Sequence, residues 1–143
     1  MKRNKYEIII DTREKTPLFL SYSNIIRQSL AIGDYSIKGY ESLIAIERKG
    51  YNDYITCCKN FKHFYNQIKK LSTIEYPFVV FSFDYCKLIQ EDYLNLTIKK
   101  KLSFLRILEK HHIPYIFIGD SFILEYFIIE YFEFFFRDRK NVI

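Results

Sequence analysis

Apolar residues fall in short runs whose period switches between that of a strand and that of a helix. Residues 6–10 form a compact β-branched run that predicts a central strand ending at Asp11. Thr16-Pro17 interrupts the pattern, and residues 23–29 predict a short helix. Residues 30–37 and 43–49 are two strand-like runs around Lys38-Gly39-Tyr40-Glu41-Ser42, which predicts a hairpin. From 53 to 71 the period becomes helical. Tyr54, Cys57, Cys58, Phe61, Tyr65, Ile68 and Leu71 share one face, and Lys59, Lys62, Asn66, Lys69 and Lys70 the other.

Pro77 introduces a further buried strand at 78–83, followed by an irregular stretch or short helix over 82–96. Residues 98–112 predict a helix with Ile98, Leu102, Leu105 and Leu108 inward. Pro114 ends it before a short strand at 115–118. Asp120 or Ser121 caps a last helix that runs to about Arg137. The order β, ββ, α, β, α, β, α, with no repeat or linker, predicts one α/β domain over residues 1–143. Its mixed central sheet is expected to carry helices on both faces.

A chain of 143 residues can bury one core but not two. Its 49% hydrophobic and 27% charged residues exclude wholesale disorder. The net charge of +5 suits a polyanionic partner, although lysines also keep a chain with 19% aromatic residues in solution. Three cysteines, Cys57, Cys58 and Cys86, show no ligand spacing, and the adjacent Cys57-Cys58 read as core fillers in a reducing, intracellular compartment. The most apolar stretch, 122–136, contains Glu125, Glu130 and Glu133, so no membrane span is expected. It is apolar around much of its circumference, which suits either a central core helix or a subunit interface.

The chemistry lies in two short clusters, Gly33-Asp34 and Glu47-Arg48-Lys49 with Asp53 following. Side chains alternate along a strand, so Glu47 and Lys49 share a face and Arg48 points away. Pairing Ile37 with Ile44 places Asp34 opposite Glu47, with Cβ atoms roughly 4.5–5.5 Å apart. Two carboxylates so close repel unless a cation separates them. Mg²⁺ answers that need with oxygen ligands, retained waters and a lowered water pKa. Lys49 is then placed to orient the water or to stabilise charge on a phosphate. The Arg48 carbonyl and Asp11, at the end of the first strand, complete the expected ligand set and a cluster at one sheet end.

Plainer readings exist for each member. Gly33-Asp34 is also a common turn, Asp53 a common helix cap, and Glu47 with Lys49 an ordinary ion pair. Singly they suffice, but they leave the grouping unexplained. His63 and His111-His112 have no partner at ligand spacing. The lysine runs at 69–70 and 99–101 suit either a solvated helix face or contact with phosphates.

Asp11-x-Arg13-Glu14, Gly33-Asp34 and Glu47-Arg48-Lys49-x-x-x-Asp53 together resemble the nuclease domain of XPF-type structure-specific endonucleases, part of the PD-(D/E)xK restriction-endonuclease-like superfamily. The resemblance continues through Phe61-Lys62-x-x-x-x-Gln67-x-x-Lys70-Leu71 and the strand after it, over about residues 6–132. It implies Mg²⁺- or Mn²⁺-dependent cleavage of one strand at flaps, forks or recombination intermediates, as in DNA repair and recombination. Asp34, Glu47 and Asp11 would be metal ligands and Lys49 the catalytic lysine. Arg13, Glu14, Arg48, Asp53 and Gln67 would support the site or the substrate phosphate. Relatives commonly append helix-hairpin-helix modules, whereas here the only glycines are Gly33, Gly39, Gly50 and Gly119, all within the core. Nuclease domains of this kind also dimerise, so a homodimer or heterodimer through helix 122–136 is expected. Two other readings are weighed beside the junction nuclease: a non-catalytic DNA-binding or scaffolding subunit, and a restriction-type duplex nuclease.

Overall fold

Three consecutive buried isoleucines form β1 (Ile8–Ile10), and the strands that follow close around it. They are β2 (Ile25–Arg27), β3 (Tyr35–Ile37), β4 (Ile44–Lys49), β5 (Tyr76–Phe81) and β6 (Tyr115–Phe117). The protein is described by a computed structural model over residues 6–18, 24–90 and 97–141, the last residue by its backbone alone. Within them the sheet order is β2-β1-β3-β4-β5-β6. β1 is parallel to β2 and antiparallel to β3, β3 is antiparallel to β4, and β4, β5 and β6 run parallel. The sheet is mixed, as the element order predicts.

Helices cover both faces. On one lie α1 (Tyr51–Lys59), α2 (Phe61–Leu71), the short α3 (Tyr85–Ile89) and α4 (Ile98–Lys110), packed on Ala45, Val79 and Phe81. On the other lies α5 (Ser121–Asn141), which sets the fully buried Leu124, Ile128, Phe132 and Phe135 against Ile44, Ile46 and Val80. Burying each such side chain contributes about 1.5–3 kcal/mol, and Phe132→Ala would cost about 3–5 kcal/mol by leaving a cavity. Asp120 is the residue that caps α5, its Oδ1 accepting the Ile123 N–H at 3.0 Å.

Several predicted elements change. Part of the expected helix at 23–29 is the strand β2, drawn into the sheet by pairing with β1; Ser23 lies outside the described residues. The expected strand 30–37 keeps only Tyr35–Ile37. Ahead of it the Leu30 N–H leaves the ladder for the Asp11 carboxylate, and Gly33 turns the chain at φ +78°. The helix expected over 53–71 is two helices. Asn60, at φ −121° and ψ 76°, breaks it, and an amide side chain that competes for backbone bonds suits that position. Phe64 is thereby stacked on Phe104, while Tyr65 is exposed rather than inward. In α4 the inward face is Lys101, Phe104, Leu105 and Leu108; Ile98 and Leu102 are exposed. The last helix ends at Asn141 rather than near Arg137. No helix of the described residues is long and apolar enough to cross a membrane.

Candidate active site

Gly33 makes the site possible. A Cβ there would meet Ala45 Cβ and the Ile46 carbonyl oxygen at 3.1 Å each, and its positive φ is one that side chains disfavour. The turn delivers Asp34 against β4. Its N–H donates to the Ile46 carbonyl at 2.8 Å, and its Oδ2 accepts the Arg48 N–H at 2.8 Å. Tyr35 faces Ile46 across the hairpin, the expected register, in which Asp34 falls beside Glu47.

Alternation along β4 does the rest. Ala45 packs beneath the helices, so Glu47 and Lys49 share that face, while Arg48 turns to the face of Ile44 and Ile46. Lys49 Nζ lies 3.3 Å from Glu47 Oε1 and donates to Gln67 Oε1 on α2 at 2.9 Å. The cleft above has a volume of about 300 Å³. Arg13, Glu14, Asp34, Glu47, Lys49 and Gln67 line it, with Asp53, His63 and Lys70 also in its wall.

Glu47 opposes the ionisation of Asp34. Burial, then the charge of Glu47, pushes Asp34 up to about 8 against the opposing Arg48 N–H bond. Burial likewise raises Glu47 above the ordinary range, with the Lys49 ammonium opposing. Burial works against the charge of Lys49, yet the Glu47 charge and hydrogen bond prevail and hold its pKa above the usual value. One ammonium cannot serve both carboxylates fully, so the grouping favours a further positive charge.

Among the described residues, no three His, Cys, Asp or Glu side chains come close enough to form a metal-binding group. The donor set is therefore lean: the Asp34 and Glu47 carboxylates, with the Arg48 carbonyl next to Glu47 in sequence. Hard oxygen donors in small number fit Mg²⁺ or Mn²⁺, which keep waters of their own.

Asp11 is placed differently from expectation. It is fully buried, its Oδ1 accepts the Leu30 N–H at 3.1 Å, its Oδ2 pairs with Arg13 Nε at 2.6 Å, and it is not in the cleft wall. The acid that reaches the cleft from this loop is Glu14, whose Oε2 accepts from the Tyr35 hydroxyl at 2.9 Å and from Arg48 Nη1 at 3.3 Å. The Arg48 guanidinium also donates to the Thr16 carbonyl at 2.8 Å, so its partners are the loop rather than a phosphate. Arg13 keeps 72% of its side chain exposed. Asp53 is not a cap. Gly50 holds that position, and Asp53 lies in the first turn of α1, where the helix dipole favours an acid. Tyr35 was not singled out by sequence, because a tyrosine in an apolar strand reads as core; its hydroxyl is what ties Glu14 to the sheet.

Two solved structures share this architecture. XPF from Aeropyrum pernix matches with a TM-score of 0.63 at 18% identity, over 80% of this chain and 57% of that one. XPF from Aeropyrum pernix in complex with DNA matches with a TM-score of 0.61 at 16% identity, over 82% of this chain and 58% of that one. The chain thus spans less than two thirds of either structure. No protein-family profile and no curated protein matches it. The protein shares the fold of these XPF structures, an α/β core whose mixed six-stranded sheet carries helices on both faces.

Proposed function

We propose that this protein is a divalent-metal-dependent endonuclease that hydrolyses phosphodiester bonds in branched or junction DNA. The observation that carries the reading is the Asp34–Glu47 pair, two half-buried acids of which Glu47 helps push the pKa of Asp34 up, beside the Lys49 ammonium in one open cleft. An ordinary ion pair has no use for the second acid.

Asp34, Glu47 and the Arg48 carbonyl would hold Mg²⁺ or Mn²⁺, with Glu14 replacing Asp11 as the third acid facing the cleft. Such an ion supplies a lowered water pKa and neutralises charge growing on the phosphate. Lys49 donates to a non-bridging phosphate oxygen and stabilises that charge. Glu14, fixed by Tyr35 and Arg48, accepts a proton or a water hydrogen bond at the cleft wall. The exposed Arg13 guanidinium suits a neighbouring phosphate, which it can engage by two donors. The likeness to a structure solved with DNA, the net charge of +5 and the exposed Lys62, Lys69 and Lys70 on α2 support a DNA partner.

The test uses purified protein with labelled flap, fork, four-way junction and plain duplex DNA, in Mg²⁺, Mn²⁺ or EDTA. Nicking of the branched substrates is expected, lost in EDTA, in Asp34→Asn and in Lys49→Ala. Cutting without metal, or full activity in both variants, contradicts the mechanism. Binding without cleavage under either metal assigns a scaffolding role, and site-dependent cutting of plain duplex a restriction-type one.

A further inference from the structure

Lys49 lies between the Gln67 amide and the Glu47 carboxylate, and the neutral group is the nearer of the two. Its Nζ donates to Gln67 Oε1 at 2.9 Å but stands 3.3 Å from Glu47 Oε1. A charge-assisted N–H···O⁻ bond left to itself closes to about 2.7–2.9 Å. The ammonium is therefore held slightly off its own acid by an amide from a different element, α2. Its side chain is only 8% exposed and that of Glu47 13%, so water does little of the holding.

We propose that Gln67 is a positioning residue for Lys49: its Oε1 draws the ammonium away from a closed ion pair with Glu47 and leaves that carboxylate open to a cation. The geometry stands on its own; the catalytic consequence rests on the nuclease reading. A neutral acceptor suits this task. It orients the lysine at any pH, because its acceptor oxygen has no proton to gain or lose in the working range. The role differs from a phosphate contact, in which the Gln67 Nε2 would donate to DNA.

Two substitutions separate these roles. Gln67→Met keeps the length and removes the acceptor, whereas Gln67→Glu keeps the acceptor and would repel a phosphate. With junction DNA and Mg²⁺, Gln67→Met should lower kcat about 10–100-fold, the usual scale for an outer support, with KM little changed. Gln67→Glu should recover most of that kcat. A loss in Gln67→Glu as large as in Gln67→Met, expressed as a raised KM, overturns the proposal in favour of the phosphate contact.

Mn²⁺ binding, followed by calorimetry without DNA, gives a readout independent of turnover. Gln67→Met should weaken Mn²⁺ binding up to about tenfold as Lys49 closes on Glu47, and should have no effect in a Lys49→Ala background. An equal effect in both backgrounds, or none in either, overturns the positioning role while leaving the nuclease reading intact. Failure of the unaltered protein to bind Mn²⁺ or to cleave overturns the nuclease reading, and this role with it.

Discussion

Asp34 and Arg48 meet through the backbone: the Arg48 N–H donates to Asp34 Oδ2 at 2.8 Å, while the Arg48 guanidinium turns to the other face of the sheet. That single bond is the chief force holding Asp34 ionised, and burial with Glu47 outweighs it, so that Asp34 rises from 3.8 to about 8. The folded, metal-free protein therefore keeps a proton that the unfolded chain releases. This contribution to stability is complete below 3.8 and is lost as pH rises through about 8. The raised Glu47 acts in the same direction. In EDTA the melting temperature should fall by several degrees between about pH 5 and pH 8.5. Asp34→Asn should flatten that slope, and Mg²⁺ should restore stability at the alkaline end. A melting temperature that rises over this range, or the same slope in Asp34→Asn, contradicts the electrostatic picture.

Arg48 holds the acidic loop from below. Its guanidinium reaches Glu14 at 3.3 Å and the Thr16 carbonyl at 2.8 Å, with both side chains of the ion pair 17% exposed. Removing one partner of such a pair leaves the other charge poorly solvated, and Arg48→Met should cost about 2–4 kcal/mol in denaturant unfolding. DNA affinity and its salt dependence should change little. Arg13→Ala should make the salt slope shallower, because 72% of its side chain is exposed, and should also cost stability by leaving the buried Asp11 carboxylate without its ion-pair partner. A shallower salt slope in Arg48→Met would return that residue to phosphate binding.

The same reasoning separates Asp11 from Glu14. Asp11→Ala strands the buried Leu30 N–H, for a loss of about 1–3 kcal/mol, with Mn²⁺ affinity nearly unchanged. Glu14→Gln should keep the fold and lower the cleavage rate. If Asp11→Asn instead abolishes metal binding while Glu14→Gln does not, the acid belongs at residue 11.

The outer face of α5 carries Phe122, Ile123, Tyr126 and Phe134 at 78%, 56%, 65% and 52% exposure, while its inner face is filled by the sheet. This splits the two readings of the helix: one side is core and the other is an uncovered apolar surface of the kind that marks an interface. Light scattering at micromolar concentration should give a dimer, and Phe122→Glu with Tyr126→Glu should give a folded monomer. A monomeric unaltered protein removes the interface.

The acidic grouping was legible because it depends on periods of two. Once residues 43–49 are a strand, Glu47 and Lys49 share a face and the hairpin register fixes Asp34. Asp11 and Glu14 were not separable in this way. They lie where the strand ends, and which of them reaches the cleft depends on contacts from Leu30, Tyr35 and Arg48, 19 to 34 positions away along the chain. Local propensity failed where pairing decided the outcome: Ile25–Arg27 is a strand because β1 offers it a partner, and Asn60 divides a run that is helical on both sides. In α4 an apolar period admits more than one face, and packing on Phe64 and Tyr54 chose Phe104 over Ile98 and Leu102.

The most direct test is to crystallise the protein with Mn²⁺ and compute an anomalous difference map. A peak between the Asp34 and Glu47 carboxylates, with the Arg48 carbonyl among its ligands and Lys49 Nζ turned toward its outer side, is the predicted result. Ordered density for both acids with no peak between them, or a Mn²⁺ ion bound only at His63 or Asp53, would contradict the account.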